Sequence, residues 1–232
     1  SLAGGFLPLC RVSQWPRKAP LRSAVVLPRM RPLASRVVLR AAPAEGRLDG
    51  ASSLKLHLYD HCPYCTRVEL VLGWRGRSYE RKVYGYSDVD GPTRLIGKKV
   101  LPVLEWTDSQ GEQKVMAESA DIIEALETAP GRPGGRVVAP KSGRKDLKGW
   151  QQRLRRVMNF LTRPRLLQMP IGDFATGADR QYQMDKYIAR GFDYDEALSR
   201  TEELVPQVER YLADLEPMLQ GEKSLNKEGW SW

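Results

Sequence analysis

Two cysteines separated by a proline and a tyrosine, Cys62-Pro63-Tyr64-Cys65, stand where a strand-like run gives way to a helical pattern. Ahead of them Leu54, Leu56 and Leu58 alternate with Lys55, His57 and Tyr59, the period of a strand with one apolar face. Asp60 and His61 end that run, and the helical pattern follows at once. The first turn of a helix carries unpaired N–H groups and the positive end of the macrodipole, so a thiolate placed there is stabilised. Pro63, with φ already fixed and no N–H, suits the first helical position and leaves Cys62 at or next to the N-cap. Cys62 is therefore expected to be partly exposed, with a pKa lowered from roughly 8.5 into the range of about 3.5 to 7.5. Cys65 lies nearly one helical turn on, so its sulfur can reach that of Cys62. The pattern is that of a redox dithiol in which Cys62 attacks and Cys65 resolves.

Cysteines at this spacing also occur as half of a zinc site, and His57 and His61 complete a nominal set of two cysteines and two histidines. Four ligands packed into one strand and its turn cannot converge tetrahedrally, and Cys10, the remaining cysteine, lies far upstream. An inert buried pair is the other alternative. No metal is expected, and His61 reads as a turn residue.

The chain has 232 residues, enough for one large or two ordinary domains, with 41% hydrophobic and 28% charged residues. No run of about 18 apolar residues occurs, so no membrane-spanning helix is expected. Cysteines are too few for a disulfide framework, which points to a compartment where thiols are used and not merely stored as cross-links. The net charge of +9 suggests a nucleic-acid partner until its distribution is read. Residues 1–50 hold nine basic and two acidic residues, leaving 28 basic against 26 acidic in the remainder. The folded part is nearly balanced, and no nucleic acid is expected.

Residues 1–50 have no acid before Glu45, scattered Arg, Ser and Pro, and no sustained period. That is the composition of a disordered organelle transit peptide. The run RVVLRAAPA at 36–44 resembles a plastid processing site, with a mitochondrial presequence or a basic disordered arm as alternatives. A compact α/β pattern spans 51–128. Its second strand is expected at 78–84, parallel to the first, a short helix around 93–96, a hairpin from 100–106 and 113–116, and a closing helix at 119–127. Residues 129–145, dense in Pro, Gly and basic residues, read as a linker. From 146 to 232 the pattern is helical. The first helix is expected to be broken by Pro164, and a shorter one covers 178–190. The last starts at Asp193 with Glu196 in a capping-box-like pair, is kinked or broken at Pro206, and has Leu198, Val205, Val208, Leu212, Leu215 and Leu219 on one face.

Two further features bear on the dithiol. Pro102 opens a strand-like run, where it is either an edge-strand proline or follows a cis Leu101-Pro102 bond that exposes the Leu101 backbone to an extended peptide. Glu118 and Ser119 precede a helix. Ser119 is a natural N-cap, or the same N–H groups receive a ligand carboxylate while Glu118 receives an ammonium.

The segments YDHCPYC, VLPVL and ESADII, in this order after a first strand, resemble the glutaredoxin arm of the thioredoxin superfamily. The helical region is similar to two-domain bacterial glutaredoxins of the glutaredoxin 2 type, through Trp150, Pro164, Arg165, Phe174, Thr176, Arg180, Tyr182 and Lys186. The resemblance implies a thioredoxin-like α/β domain followed by an all-α glutathione-transferase-like domain. It implies Cys62 as nucleophile, Cys65 as resolving thiol, and Pro63 and Tyr64 in the glutathione-facing turn. Leu101 beside a cis Pro102 would meet the cysteinyl part of glutathione, and Glu118 and Ser119 its γ-glutamyl end. The implied partners are glutathione, as co-substrate, and disulfide-containing or glutathionylated proteins, engaged by a monomer in a plastid or mitochondrion. The alternative activity on this architecture is that of a glutathione transferase or dehydroascorbate reductase, and an iron-sulfur carrier is a third. The family continues past the region equivalent to 229–232 with further helices, so the helical domain is expected to be cut short, with apolar surface uncovered.

Overall fold

The computed structural model describes residues 37–38, 48, 50–129, 135–139 and 143–220. In chain order β1 (Val37–Val38), β2 (Ser52–Leu58), α1 (Pro63–Trp74), β3 (Glu80–Val83), α2 (Asp90–Ile96), β4 (Val103–Thr107), β5 (Gln113–Ala117) and α3 (Ser119–Thr128) build an α/β domain. Then α4 (Lys145–Leu166), α5 (Gly177–Ile188), α6 (Tyr194–Ser199) and α7 (Thr201–Leu215) build a helical one. No helix among the described residues is long and apolar enough to cross a membrane.

The sheet order is β1-β5-β4-β2-β3. The connection through α1 makes β2 and β3 parallel, with Leu56 beside Arg81. The hairpin β4–β5 aligns Leu104 with Met116, and β4 runs antiparallel to β2. Gly111, at φ +84°, supplies the left-handed residue in the hairpin turn. The backbone of β1, which lies in the stretch read as a transit peptide, runs parallel to β5, and Leu48 from the same stretch is buried in the core. The rest of that stretch apart from Gly50, most of the linker's Pro- and Gly-rich part and residues 221–232 lie outside the described residues.

Leu56, Leu58, Leu104, Trp106 and Met116 of the sheet pack with Val68, Val71 and Leu72 of α1 and Ile122, Ile123 and Leu126 of α3. The alternation in β2 predicts one wet face, yet His57 and Tyr59 are buried with the leucines. Burial of His57 is tolerable because Nδ1 shares a hydrogen bond of 2.8 Å with the Tyr84 hydroxyl and Nε2 stands 3.4 Å from Glu105.

Neither proline breaks its helix where expected. Pro164 falls in the last turn of α4, which runs to Leu166. Pro206 lies inside α7, and the break comes earlier, between Ser199 and Thr201. There the Ser199 hydroxyl donates to the Glu196 carbonyl (2.8 Å) and the Thr201 hydroxyl to the Leu198 carbonyl (2.7 Å), competing with the backbone ladder. The start of α6 matches the sequence reading, with Asp193 accepting from the Asp195 and Glu196 amides. The apolar face predicted for the last helix is not buried along its length: Val205 and Leu212 of α7 and Leu219 beyond its end are exposed, and the buried residue of α7 is Leu204.

The two domains meet through the backbone of a short 3-10 turn, Gly172–Phe174. The Gly172 amide donates to Asp60 (2.9 Å), and the Tyr86 amide donates to the Asp173 carbonyl (2.8 Å). A Cβ on Gly172 would lie 2.8 Å from Val83 Cγ1 and 3.1 Å from Asp60 Oδ2, so only glycine permits this approach without a shift. Beside it Asp179 accepts from the Ser87 amide and hydroxyl (2.8 and 2.7 Å) while closing a capping box with Thr176 at the start of α5. Phe174, fully buried, joins the core of the α/β domain.

Candidate active site

Cys62 occupies the N-cap of α1 with extended backbone, and Pro63 takes the first helical position. Its amide donates to the Tyr59 carbonyl (3.2 Å), and its carbonyl accepts from the amides of Cys65 and Thr66, both at 3.0 Å. Cys65 is fully buried against the core, whereas Cys62 is half-buried and Pro63 and Tyr64 are exposed. The strand-to-helix turn thus presents one sulfur outward and keeps its partner beneath.

The Cys62 thiol is lowered from 9.0 to about 6. Hydrogen bonding from the Cys65 thiol is the largest cause; burial opposes it, and the amides of Cys65 and Tyr64 and the charge of His61 add to it. Cys65 moves the other way, because it donates to Cys62 and is itself buried beside a thiolate. The pair is therefore asymmetric: a thiolate at the surface, a thiol below.

Leu101 and Pro102 are buried next to the start of β4, and the bond between them is cis. Glu118 is exposed and sits at φ +68°, a left-handed conformation uncommon outside glycine. It, and not Ser119, is the N-cap of α3, which corrects the sequence reading. The turn at Glu118 starts the helix one residue earlier than a serine cap would, so Ser119 becomes the first helical residue and its hydroxyl accepts from Arg67 Nε at 3.0 Å. The Glu118 side chain makes no cap hydrogen bond to the first amides of α3. Lys98 stands 3.4 Å from the Glu118 carboxylate.

Several residues at the site escaped the sequence reading. Arg67 lies over the Tyr64 ring, 4.8 Å from its centroid, and so links the dithiol turn to α3. The spacing of Tyr64 and Arg67 on one helix face was the available signal. His61, read as a turn residue, is paired through Nδ1 with Asp173 of the helical domain. Tyr86 lies edge-on to His61, Tyr182 packs on Tyr86, and Lys186 donates to the Tyr86 hydroxyl. Lys99 completes this group, 3.8 Å above the Tyr182 ring. No group of three or more His, Cys, Asp or Glu placed to hold a metal ion occurs among the described residues.

Comparison with known proteins agrees with this layout domain by domain. Residues 146–232 match the family model of the Glutaredoxin 2 C-terminal domain, and residues 56–134 match that of the glutathione S-transferase N-terminal domain. Glutaredoxin 2 of Escherichia coli strain K12 is 29% identical over 178 residues, covering 75% of this chain and 78% of that protein. The crystal structure of Glutaredoxin 2 from Salmonella typhimurium, solved in complex with glutathione, superposes with a TM-score of 0.66 at 25% identity, covering 76% of this chain and 77% of that one. The architecture is that of Glutaredoxin 2. On that architecture, a thioredoxin-like domain followed by a helical glutathione-transferase-like domain, Cys62 stands at the helix start and the Gly172–Phe174 turn brings the second domain against it.

Proposed function

We propose that this chain is a glutathione-dependent thiol-disulfide oxidoreductase that reduces disulfides and protein-glutathione mixed disulfides through Cys62 and Cys65. The observation that carries the reading is the asymmetry of the pair, a half-buried sulfur lowered to about 6 at a helix N-cap over a fully buried thiol. The likeness to Glutaredoxin 2 supports the enzyme class and glutathione as co-substrate.

In this mechanism the Cys62 thiolate attacks one sulfur of the substrate disulfide; the S–S bond breaks, and the other sulfur leaves as a thiolate that takes a proton from solvent. With Cys62 now in a mixed disulfide, its charge no longer holds the Cys65 proton. Cys65 can then deprotonate and displace the second half of the substrate, leaving a Cys62–Cys65 disulfide that two glutathione molecules reduce. Alternatively, glutathione itself attacks a glutathionylated Cys62 and leaves as glutathione disulfide. The Leu101 backbone would pair with the cysteinyl part of glutathione, Pro63 and Tyr64 would face it, and the first amides of α3 at Ser119 would take its γ-glutamyl carboxylate. Glu118 would take the γ-glutamyl ammonium, with Lys98 displaced from its carboxylate.

Reduction of a glutathione mixed disulfide, with glutathione supplied and withheld, tests the reading. Activity should vanish in Cys62→Ser and survive in part in Cys65→Ser; equal loss in both would overturn the roles. Conjugation of an electrophile to glutathione without disulfide reduction would favour a transferase instead. The basic, acid-poor composition of residues 1–50 supports delivery to a plastid. Fusion of that stretch to a fluorescent reporter tests it, and mitochondrial or cytosolic signal would overturn it.

A further inference from the structure

His61, immediately before Cys62, is held more tightly than a turn residue needs to be. Three aromatic rings surround it, Phe174 and Tyr59 tilted at 30° and 31° with centroids 5.0 and 5.9 Å away, and Tyr86 edge-on at 5.1 Å. Its Nδ1 contacts Asp173 Oδ2, and the His61 amide points at the same oxygen from 3.5 Å. Asp173 belongs to the helical domain and has no exposed surface. Among the described residues its other carboxylate oxygen has no hydrogen-bond partner, and His61 is the group with which it forms an ion pair. A carboxylate buried in this way is costly unless a partner compensates it, so the contact is not incidental to the fold.

Resting on the reading of Cys62 as the reacting thiol, we propose that Asp173 is a positioning residue for the dithiol: through Nδ1 it fixes the His61 ring so that the imidazole, when it carries a proton on both nitrogens, stands as a cation beside Cys62. The helical domain then takes part in the chemistry of the first domain without touching substrate. The contribution of His61 to stabilising the Cys62 thiolate agrees with this placement. Asp60 is bound to Arg81 at 2.8 Å and to the Gly172 amide. Tyr59 and Tyr86 are kept protonated by burial, and Asp88 acts on Tyr59. Lys99 and Lys186 lie over the Tyr86 ring at 5.1 and 4.9 Å. Asp173 is the carboxylate in contact with the imidazole itself.

The test is the pH profile of Cys62 alkylation by iodoacetamide in the full chain, read at the level of the Cys62 peptide so that Cys10 and Cys65 do not contribute. An opposite charge within a few ångströms is worth about one pKa unit or more, so Asp173→Asn should displace the profile upward and slow alkylation at pH 6 about fivefold. His61→Gln should do the same, and Asp173→Glu should restore part of the loss. If Asp173→Asn does not fold, His61→Gln decides. An unchanged profile in folded Asp173→Asn, or in His61→Gln, overturns the proposal. The functional reading fails separately, if the unsubstituted chain does not reduce a glutathione mixed disulfide while its Cys62 still titrates low.

Discussion

Arg67 Nε donates to the Ser119 hydroxyl at 3.0 Å, while its guanidinium covers the Tyr64 ring. One side chain of α1 therefore fixes the distance between the dithiol turn and the first residue of α3. If those two elements hold opposite ends of glutathione, Arg67→Ala should raise KM for glutathione about tenfold, the worth of a hydrogen bond to a charged group. The limiting rate of Cys62 alkylation above pH 8 should not change. Steady-state kinetics with varied glutathione, beside that alkylation rate, separate a positioning loss from a chemical one.

The acidity of Cys62 sets a pH window for activity. In the proposed mechanism the thiolate is the nucleophile, and its proton returns as pH falls through about 6. Reduction rates should be nearly flat above pH 7 and fall about tenfold per pH unit below 5. A rate profile centred near 9 would show that the helix start and the Cys65 thiol do not stabilise the thiolate.

Asp179 ties the interface between the domains to pH. Burial works to raise its carboxyl, but hydrogen bonds from Thr176 and Ser87 overcome that and hold it below its usual value. A group depressed in the folded state contributes stability above its unfolded pKa, and the contribution disappears as pH falls through the folded one. Domain docking should therefore weaken below about pH 4, the ordinary carboxylate range. Thermal unfolding between pH 3 and 7 should show a loss that Asp179→Asn removes, because the variant is already weakened at pH 7.

Arg75 and Glu127 form a buried ion pair that joins the end of α1 to the end of α3. Glu127 also accepts from the Val137 amide at 2.9 Å, so it anchors the chain leaving the α/β domain. Removing one partner leaves the other charge uncompensated, and Glu127→Ala should cost about 3 to 5 kcal/mol by denaturant unfolding. Replacing both residues with apolar ones of similar volume should recover most of that loss.

Local chemistry made the centre of the site legible. Pro63 after a strand-like run is enough to put Cys62 at a helix start, and the spacing of Leu54, Leu56 and Leu58 is enough to place a strand before it. Legibility ended where a backbone angle or a distant segment decides. Ser119 has the composition of a cap, but the left-handed turn at Glu118 moves it into the helix, and no residue type announces that turn. Pro206 looked like a break, yet two hydroxyls near residue 200 interrupt the helix first. His61 and Asp173 stand 112 positions apart, and only the approach allowed by Gly172 brings them together. The exposure of Leu212 against the apolar pattern of its helix marks the same limit, because periodicity names a face and not what covers it.

Cys65 has no exposed surface, although it is one helical turn from a sulfur that reagents can touch. A bulky thiol label can reach it only during excursions that lift α1 from the core. Its labelling rate in the reduced protein is therefore a native clock for local opening, and the ratio of its rate to that of an exposed thiol gives the free energy of that motion. The sulfur proposed to resolve a mixed disulfide can thus report how often the domain breathes.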